Sequence, residues 1–173
     1  NFPDDSFRQY VSDNCDTVKD GVLSLDEISK VTTITIINNS NVKSLEGIEH
    51  FTALTRLDCY NTGIQTLDVS NIPYLRELDC HNTPLAWLNL GNQYLNDLNI
   101  SASLVDLAVT SDSFDMTQAF QGIDISKVTN ITGATLNGDS ITGYTLGKPI
   151  TYTYDCGTDN GNTVILNVTL NQT

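Results

Sequence analysis

Leu54-Thr55-Arg56-Leu57-Asp58-Cys59 returns 21 residues later as Leu75-Arg76-Glu77-Leu78-Asp79-Cys80. The same step carries Ile64-Leu67-Val69 onto Leu85-Leu88-Leu90. Read outward, the frame reaches back to Val31-Ile34-Ile36 and, with one or two deletions, forward to Leu95-Leu98-Ile100. A fixed period of this size predicts a stacked, quasi-one-dimensional solenoid. Within each coil, apolar triplets alternate with polar residues at a period of two, as extended strands require. One coil cannot bury its apolar members alone, so neighbouring coils depend on each other.

The flanks leave this frame. Residues 1–30 predict helix, loop, helix: Pro3 suits a first helical position, and Phe7, Tyr10 and Val11 share a face. Ser24 with Glu27 three positions on makes a capping box for the second helix. Residues 31–110 hold the repeats, and residues 111–173 read as a β cap. In that cap Leu136-Asn137-Gly138-Asp139 signals a tight hairpin. Thr151–Tyr154 and Val164–Leu170 predict two strands, with 157–162 as the loop between them. An open solenoid exposes an apolar end and a strand edge, so both flanks are expected to act as lids.

Composition narrows the function. The chain of 173 residues carries 21 acidic and 8 basic residues, a net charge of -13. Such a surface repels phosphate backbones and anionic lipid, so no nucleic-acid partner and no membrane-surface docking are expected. No apolar run approaches the roughly 20 residues a membrane helix needs, so no membrane insertion is expected. A chain that starts at Asn1 without an initiator Met is expected to be a processed or trimmed product. Cys59 and Cys80 take inward slots of the repeat while Cys15 and Cys156 lie outside it, so four free thiols are expected rather than a disulfide framework.

Taken in order, Asn1-Phe2-Pro3-Asp4, Phe7-Arg8-Gln9-Tyr10-Val11, Asp20–Ser24 with Glu27-Ile28, Ser44–Glu49, Leu67-Asp68-Val69-Ser70 and Thr151–Gly157 resemble the bacterial extracellular leucine-rich repeat proteins common in gut Firmicutes. The resemblance implies an α+β, mainly β fold: a short leucine-rich repeat solenoid with an EF-hand-like helical N-terminal cap and a small β C-terminal cap. It also implies an extracellular or cell-surface protein, non-enzymatic and monomeric, that binds proteins or other extracellular partners. It carries over no catalytic residue. Leucine-rich repeats favour Asn in the ninth slot, where this chain has Asn39, Thr62 and Thr83. A hydroxyl can supply part of the same hydrogen bonding.

Two places hold candidate chemistry. Asp16–Glu27 resembles a twelve-residue calcium loop, with Asp16, Asp20, the Val22 carbonyl, Ser24 and Glu27 at ligand positions and Gly21 at the turn. Val18 stands where a ligand oxygen belongs, so calcium binding is expected to be weak, and no cofactor is required. The same residues also serve as a turn and a helix cap without metal. On the repeat strands, Leu57 and Cys59 point inward, so their neighbours point outward. Arg56, Glu77 and Asp97 form one outward row; Asp58, Asp79 and Asn99 form the next; Tyr60 and His81 lie side by side in a third. This polar sheet face is the candidate partner site. Four strands at ~4.8 Å spacing and about five residues of ~3.3 Å give roughly 300 Å². A standard interface uses about 800 Å² per partner, so the face alone makes a weak site.

A protein partner is expected, with carbohydrate as the alternative, Trp87 or Tyr60 serving as a stacking platform, and a purely structural spacer as the third reading. Trp87 has Thr66 and Asp106 as row neighbours and is expected to pack along the flank near Pro84. Enzymatic readings fail on inventory: Cys80 and His81 point to opposite faces of one strand, and no phosphate loop or zinc spacing occurs.

Overall fold

The computed structural model describes residues 2–173. Two helices, α1 (Asp5–Asn14) and α2 (Leu25–Lys30), open the chain. Short strands follow: β1 (Thr33–Thr35), β2 (Arg56–Asp58), β3 (Thr66–Asp68), β4 (Glu77–Asp79), β5 (Trp87–Asn89), β6 (Gly91–Gln93) and β7 (Asp97–Asn99). The remainder comprises β8 (Ser103–Leu107), β9 (Ser113–Asp115), α3 (Met116–Ala119), β10 (Val128–Thr132), β11 (Thr135–Asn137), β12 (Ser140–Thr142), β13 (Ile150–Asp159) and β14 (Asn162–Gln172). The chain is α+β and mainly β.

Four passes of the chain each lay one strand on a parallel front sheet, in the order β1-β2-β4-β7. Its register aligns Thr33, Arg56, Glu77 and Asp97, then Ile34, Leu57, Leu78 and Leu98, then Thr35, Asp58, Asp79 and Asn99. On the back, β3 and β5 pair in parallel with Leu67 opposite Leu88. Leu57, Cys59, Ile64 and Val69 of one pass, with Leu78, Cys80, Leu85 and Leu90 of the next, are buried between the two sheets. Leaving this apolar surface in water would cost about 25 cal/mol per Å². All four thiols are free and buried. Burial pushes the Cys59 thiol well up, and the Cys80 and Cys156 thiols up to about 12, which favours the protonated thiol at these three positions.

Three residues beyond β1, β2 and β4 stands an asparagine with left-handed backbone, Asn38, Asn61 and Asn82, at φ of 55°, 54° and 50°. Asn tolerates that conformation because its short amide can bond locally. The next slot is interior. Thr62 and Thr83 both donate to the Cys59 carbonyl, at 2.8 and 3.2 Å, and are buried.

The N-terminal helices close one end. Asp4, not Pro3, sets the start of α1: its Oδ1 accepts from Phe7 N–H at 2.8 Å, which leaves Pro3 outside the helix. Its Oδ2 accepts from Lys43 and Ser44 N–H, tying the helix to the first pass. Tyr10 Oη accepts from Thr35 N–H at 3.0 Å, which occupies an edge group of β1. The Ser24–Glu27 capping box is present at α2.

The C-terminal strands pair directly with strands of the repeat region. β13 and β14 run through residues 157–162 as one long hairpin, turning at Asn160-Gly161 with φ of 50° and 76°. Asn-Gly is a preferred two-residue hairpin turn, so no six-residue loop is needed. This hairpin enters between the third and fourth passes on the back. β13 pairs with β6, β14 pairs with β8, and Leu90 N–H donates to the Cys156 carbonyl at 2.7 Å. The third and fourth passes are therefore adjacent at the front, through β4 and β7, and separated by two strands behind.

Gly157 makes that insertion feasible. It sits at φ 95°, and a Cβ there would lie 2.4 Å from the Gly91 carbonyl oxygen. Gly161, at the hairpin tip, also has positive φ but meets nothing within 4 Å. Both positions carry a left-handed penalty of about 1 kcal/mol for a side chain, and only Gly157 adds a backbone clash. Gly157→Ala is expected to lower unfolding stability by at least about 2 kcal/mol, and Gly161→Ala by about half that. The midpoints of denaturant unfolding check the ranking; equal losses would mean that β13 does not press on the third pass.

Candidate binding face

The outward rows of the front sheet are a chain of locked charges. Arg56 Nε donates to Asp58 Oδ2 at 2.8 Å, and its Nη1 pairs with Glu77 on the neighbouring strand. The Asp58 hydrogen bond, then the charges of Asp58 and Glu77, raise the Arg56 pKa further. Asp58 is buried beneath this pair and also accepts from Thr35 Oγ1 at 3.5 Å. Because the period puts Arg56 beside Glu77, the cation is shared between two passes.

The third row is different in kind. Tyr60 and His81 stack face to face, with ring centroids 4.7 Å apart and an interplanar angle of 15°. His81 Nδ1 sits against Asp79 Oδ1, which also accepts from His81 N–H at 3.2 Å. Asn99 Nδ2 lies 3.1 Å from the same ring nitrogen. With Nδ1 held by the carboxylate, Nε2 is the nitrogen left for a partner. Neither His81 Nε2 nor Tyr60 Oη has a hydrogen-bond partner among the described residues. Ser101, next in the row, has its Oγ taken by Asn82 N–H at 2.9 Å and makes no hydrogen bond to His81. The structure thus brings together Arg56, Asp58, Tyr60, Glu77, Asp79, His81 and Asn99, and it leaves Asp97 exposed and unpaired at the β7 edge.

The loop before α2 is held by its own amides. Glu27 Oε1 accepts from Thr17 N–H, Thr17 Oγ1 and Val18 N–H, at 2.7 to 3.0 Å. Its Oε2 accepts from Ser24 N–H and Ser24 Oγ. Asp16 accepts from Lys19 N–H at 2.7 Å and Gly21 N–H at 2.9 Å, and Asp20 from Val22 N–H at 2.9 Å. A cation at this loop would compete with these donors for the same oxygens. Among the described residues, no three His, Cys, Asp or Glu side chains converge at metal-binding distance.

Trp87 does not sit where its row predicts. Asp106 is not its neighbour, because β13 and β14 come between; Asp106 lies opposite Asn171 instead. Trp87 packs under residues 121–122. Its Nε1 donates to the Gln121 carbonyl at 3.2 Å, and Gly122 lies over the ring so closely that a Cβ would stand 3.0 Å away. The residue is 7% exposed.

No family model matches the chain, and no curated protein matches it. Among solved structures it is similar to one of Clostridium perfringens ZmpB, described as CBM51-2 in complex with GlcNAc and INT domains. That likeness has 16% identity and a TM-score of 0.46, over 99% of this chain and 35% of that one. A second is the functional domain of InlJ from Listeria monocytogenes, described as including a cysteine ladder. It has 20% identity and a TM-score of 0.38, over 88% of this chain and 46% of that one. The chain therefore spans about a third and about half of those two lengths. Among the described residues no helix is long and apolar enough to cross a membrane.

The Ser24 hydrogen bonds, with Val18 N–H next, hold the Glu27 carboxyl down at about 2, against 4.5 ordinarily. The unfolded chain therefore takes up the proton first as pH falls. Glu27 contributes stability above pH 4.5 and loses it progressively toward pH 2. The Thr17 and Val18 amides are expected to lose hydrogen-exchange protection across that window. Glu27→Gln should flatten the acid dependence; an unchanged profile would assign it to another carboxylate.

Proposed function

We propose that this chain is a non-enzymatic binding or adhesion module, displayed outside a bacterial cell and built as a short leucine-rich repeat solenoid of about 21 residues per coil. Its N-terminal helices and C-terminal β segment serve as caps, and the monomer meets a macromolecular partner, a protein, on the front sheet. One observation carries the reading: Tyr60 and His81 are stacked into a rigid pair with Oη and Nε2 unengaged among the described residues, in a face whose arginine is already paired. Tyrosine held in one rotamer offers contact area at low entropic cost.

Charge says what kind of protein fits. Asp58, Glu77, Asp79 and Asp97 set four carboxylates against the one guanidinium of Arg56, so the face is acidic. The partner surface is therefore basic, and its association is steered by charge and weakened by salt. Carbohydrate stacking finds less support on this face. His81 covers one side of the Tyr60 ring, the register sets Ile37 along the other, and Trp87 is buried.

Catalysis is left out of the proposal for a geometric reason. Asp79 orients His81 as a base would be oriented, but no hydroxyl or thiol among the described residues bonds its far nitrogen. No cofactor is required on this reading. Calcium would have to displace amide donors from Asp16 and Glu27 without help from Val18. Millimolar calcium is accordingly expected to leave the thermal midpoint unmoved and to release no heat in a calorimeter.

The binding test uses the immobilised chain against an extracellular protein extract. The triple variant Tyr60→Ala, His81→Ala, Asp97→Ala should keep the parent's melting temperature and lose captured protein by at least about tenfold, the scale of truncated hot-spot residues. Capture that survives the triple variant removes this face from the proposal.

A further inference from the structure

Leu75 and Leu95 are the buried residues that lead the third and fourth passes into the front sheet. The residue before each is a tyrosine, and both are turned to water: Tyr74 is 60% exposed and Tyr94 58%. Their alignment is fixed by backbone, since Asn96 and Asp97 N–H both donate to the Arg76 carbonyl, at 2.7 and 3.2 Å. The two tyrosines therefore stand one pass apart, a step of about 4.8 Å between paired strands. The third pass is one residue shorter than the second, and Gln93 absorbs the difference. It turns inward, is buried, and donates its amide to the Val69 and Ile72 carbonyls at 2.8 and 3.3 Å. A buried glutamine bridging two carbonyls of the previous pass keeps Tyr94 in step with Tyr74.

These rings differ from the Tyr60–His81 pair. They do not stack on each other or on any other aromatic among the described residues, and neither phenol has a hydrogen-bond partner there. Scattered exposed apolar groups need no explanation, but two aromatics in register on adjacent passes form a ridge. Asn71, Asn92 and Asn96, neighbours of these tyrosines in the chain, are exposed. Arg76 Nη1 bends back to the Leu75 carbonyl at 2.7 Å, Asp159 Oδ1 accepts from Leu95 N–H at 2.7 Å, and Asp97 is exposed.

We propose that Tyr74 and Tyr94 form a second binding site, for a neutral glycan chain. The electron-rich face of a phenol ring attracts the weakly positive C–H face of a pyranose. Asparagine side chains offer both donors and acceptors to sugar hydroxyls. The step between passes is close to the length of one hexose in a chain, so successive sugars can meet successive rings. An anionic polysaccharide would be repelled by the overall charge, whereas a basic protein is better served by the acidic front face. The site stands apart from that face, at the entry end of β4 and β7, where Tyr60 and His81 mark the exit end of β2 and β4.

Native electrophoresis in gels containing xylan, mannan, mixed-linkage β-glucan or starch tests the proposal. At least one gel should retard the chain, and the double variant Tyr74→Ala, Tyr94→Ala should bind that polysaccharide at least tenfold more weakly. Tyr74→Phe with Tyr94→Phe, which keeps both ring faces, should retain most of the retardation. Tyr60→Ala with His81→Ala should run like the parent, which separates this site from the protein-binding face. Emission from the buried Trp87 reports that each variant is folded. Free migration of the parent in every gel overturns the proposal. So does retardation that survives the alanine pair, or capture of a protein that depends on Tyr74 and Tyr94.

Discussion

Two glycines govern how closely the C-terminal hairpin can lie against the third pass. Gly157 meets Gly91 backbone to backbone, at a separation where any side chain on β13 would collide with a carbonyl. The contact lets Leu90 N–H reach the Cys156 carbonyl and sets Cys156, Tyr154 and Tyr152 into the core. Tyr152 Oη then donates to the Ala86 carbonyl at 2.7 Å, which satisfies a buried hydroxyl. The tip is pinned in the same way: Asp159 and Asn160 bond the backbone of Leu95, and Asn160 N–H reaches the Gln93 carbonyl. These pairings join residues about 65 positions apart, so the hairpin must find a nearly finished stack.

The insertion also shapes the front. By spreading the third and fourth passes only behind, it leaves β4 and β7 in direct register, so the outward rows run unbroken from Thr33 to Asp97. Within these rows Arg56 is engaged with Asp58 and Glu77, and His81 with Asp79. Exposed ion pairs of this kind add little stability, but they fix side chains in one arrangement. A preorganised face loses less entropy on meeting a partner. The α1 end is covered through Tyr10, while Leu98 and Ile100 at the β7 end are only partly buried.

The Leu-x-x-Leu-x-Cys frame was legible because burial repeats it without interruption, and the structure places Leu57 beside Leu78 as the period requires. The outward rows follow from alternation alone, so the candidate face could be written down residue by residue. Asn38, Asn61 and Asn82 were equally visible in the frame, but the slot after them was read as the turning position. Left-handed backbone, which favours asparagine, was the missed signal. Asn160-Gly161 was a hairpin signal as strong as Asn137-Gly138, and it was absorbed into a loop. The insertion itself was not legible. Alternation marks β13 and β14 as strands, but nothing in it names β6 and β8 as partners, which shape complementarity at Gly91 and Gly157 selects. Trp87 was misplaced for the same reason, since its supposed neighbour Asp106 lies two strands further away.

One period thus writes both the interior and the surface. Where a repeat places leucine inside at each step, any side chain one position away recurs outside at the same step. Tyr74 and Tyr94 flank Leu75 and Leu95 in this way, and Tyr60 and His81 follow Cys59 and Cys80. Recognition elements can therefore be exchanged without disturbing the core, provided that register is kept. The third pass shows how strictly it is kept: losing one residue before Tyr94 is compensated by a glutamine that enters the core and bonds two carbonyls of the pass beneath. A buried polar side chain at that position costs stability unless both bonds are made. Its retention there is best understood as the means by which the outer residues of the fourth pass stay aligned with those of the third.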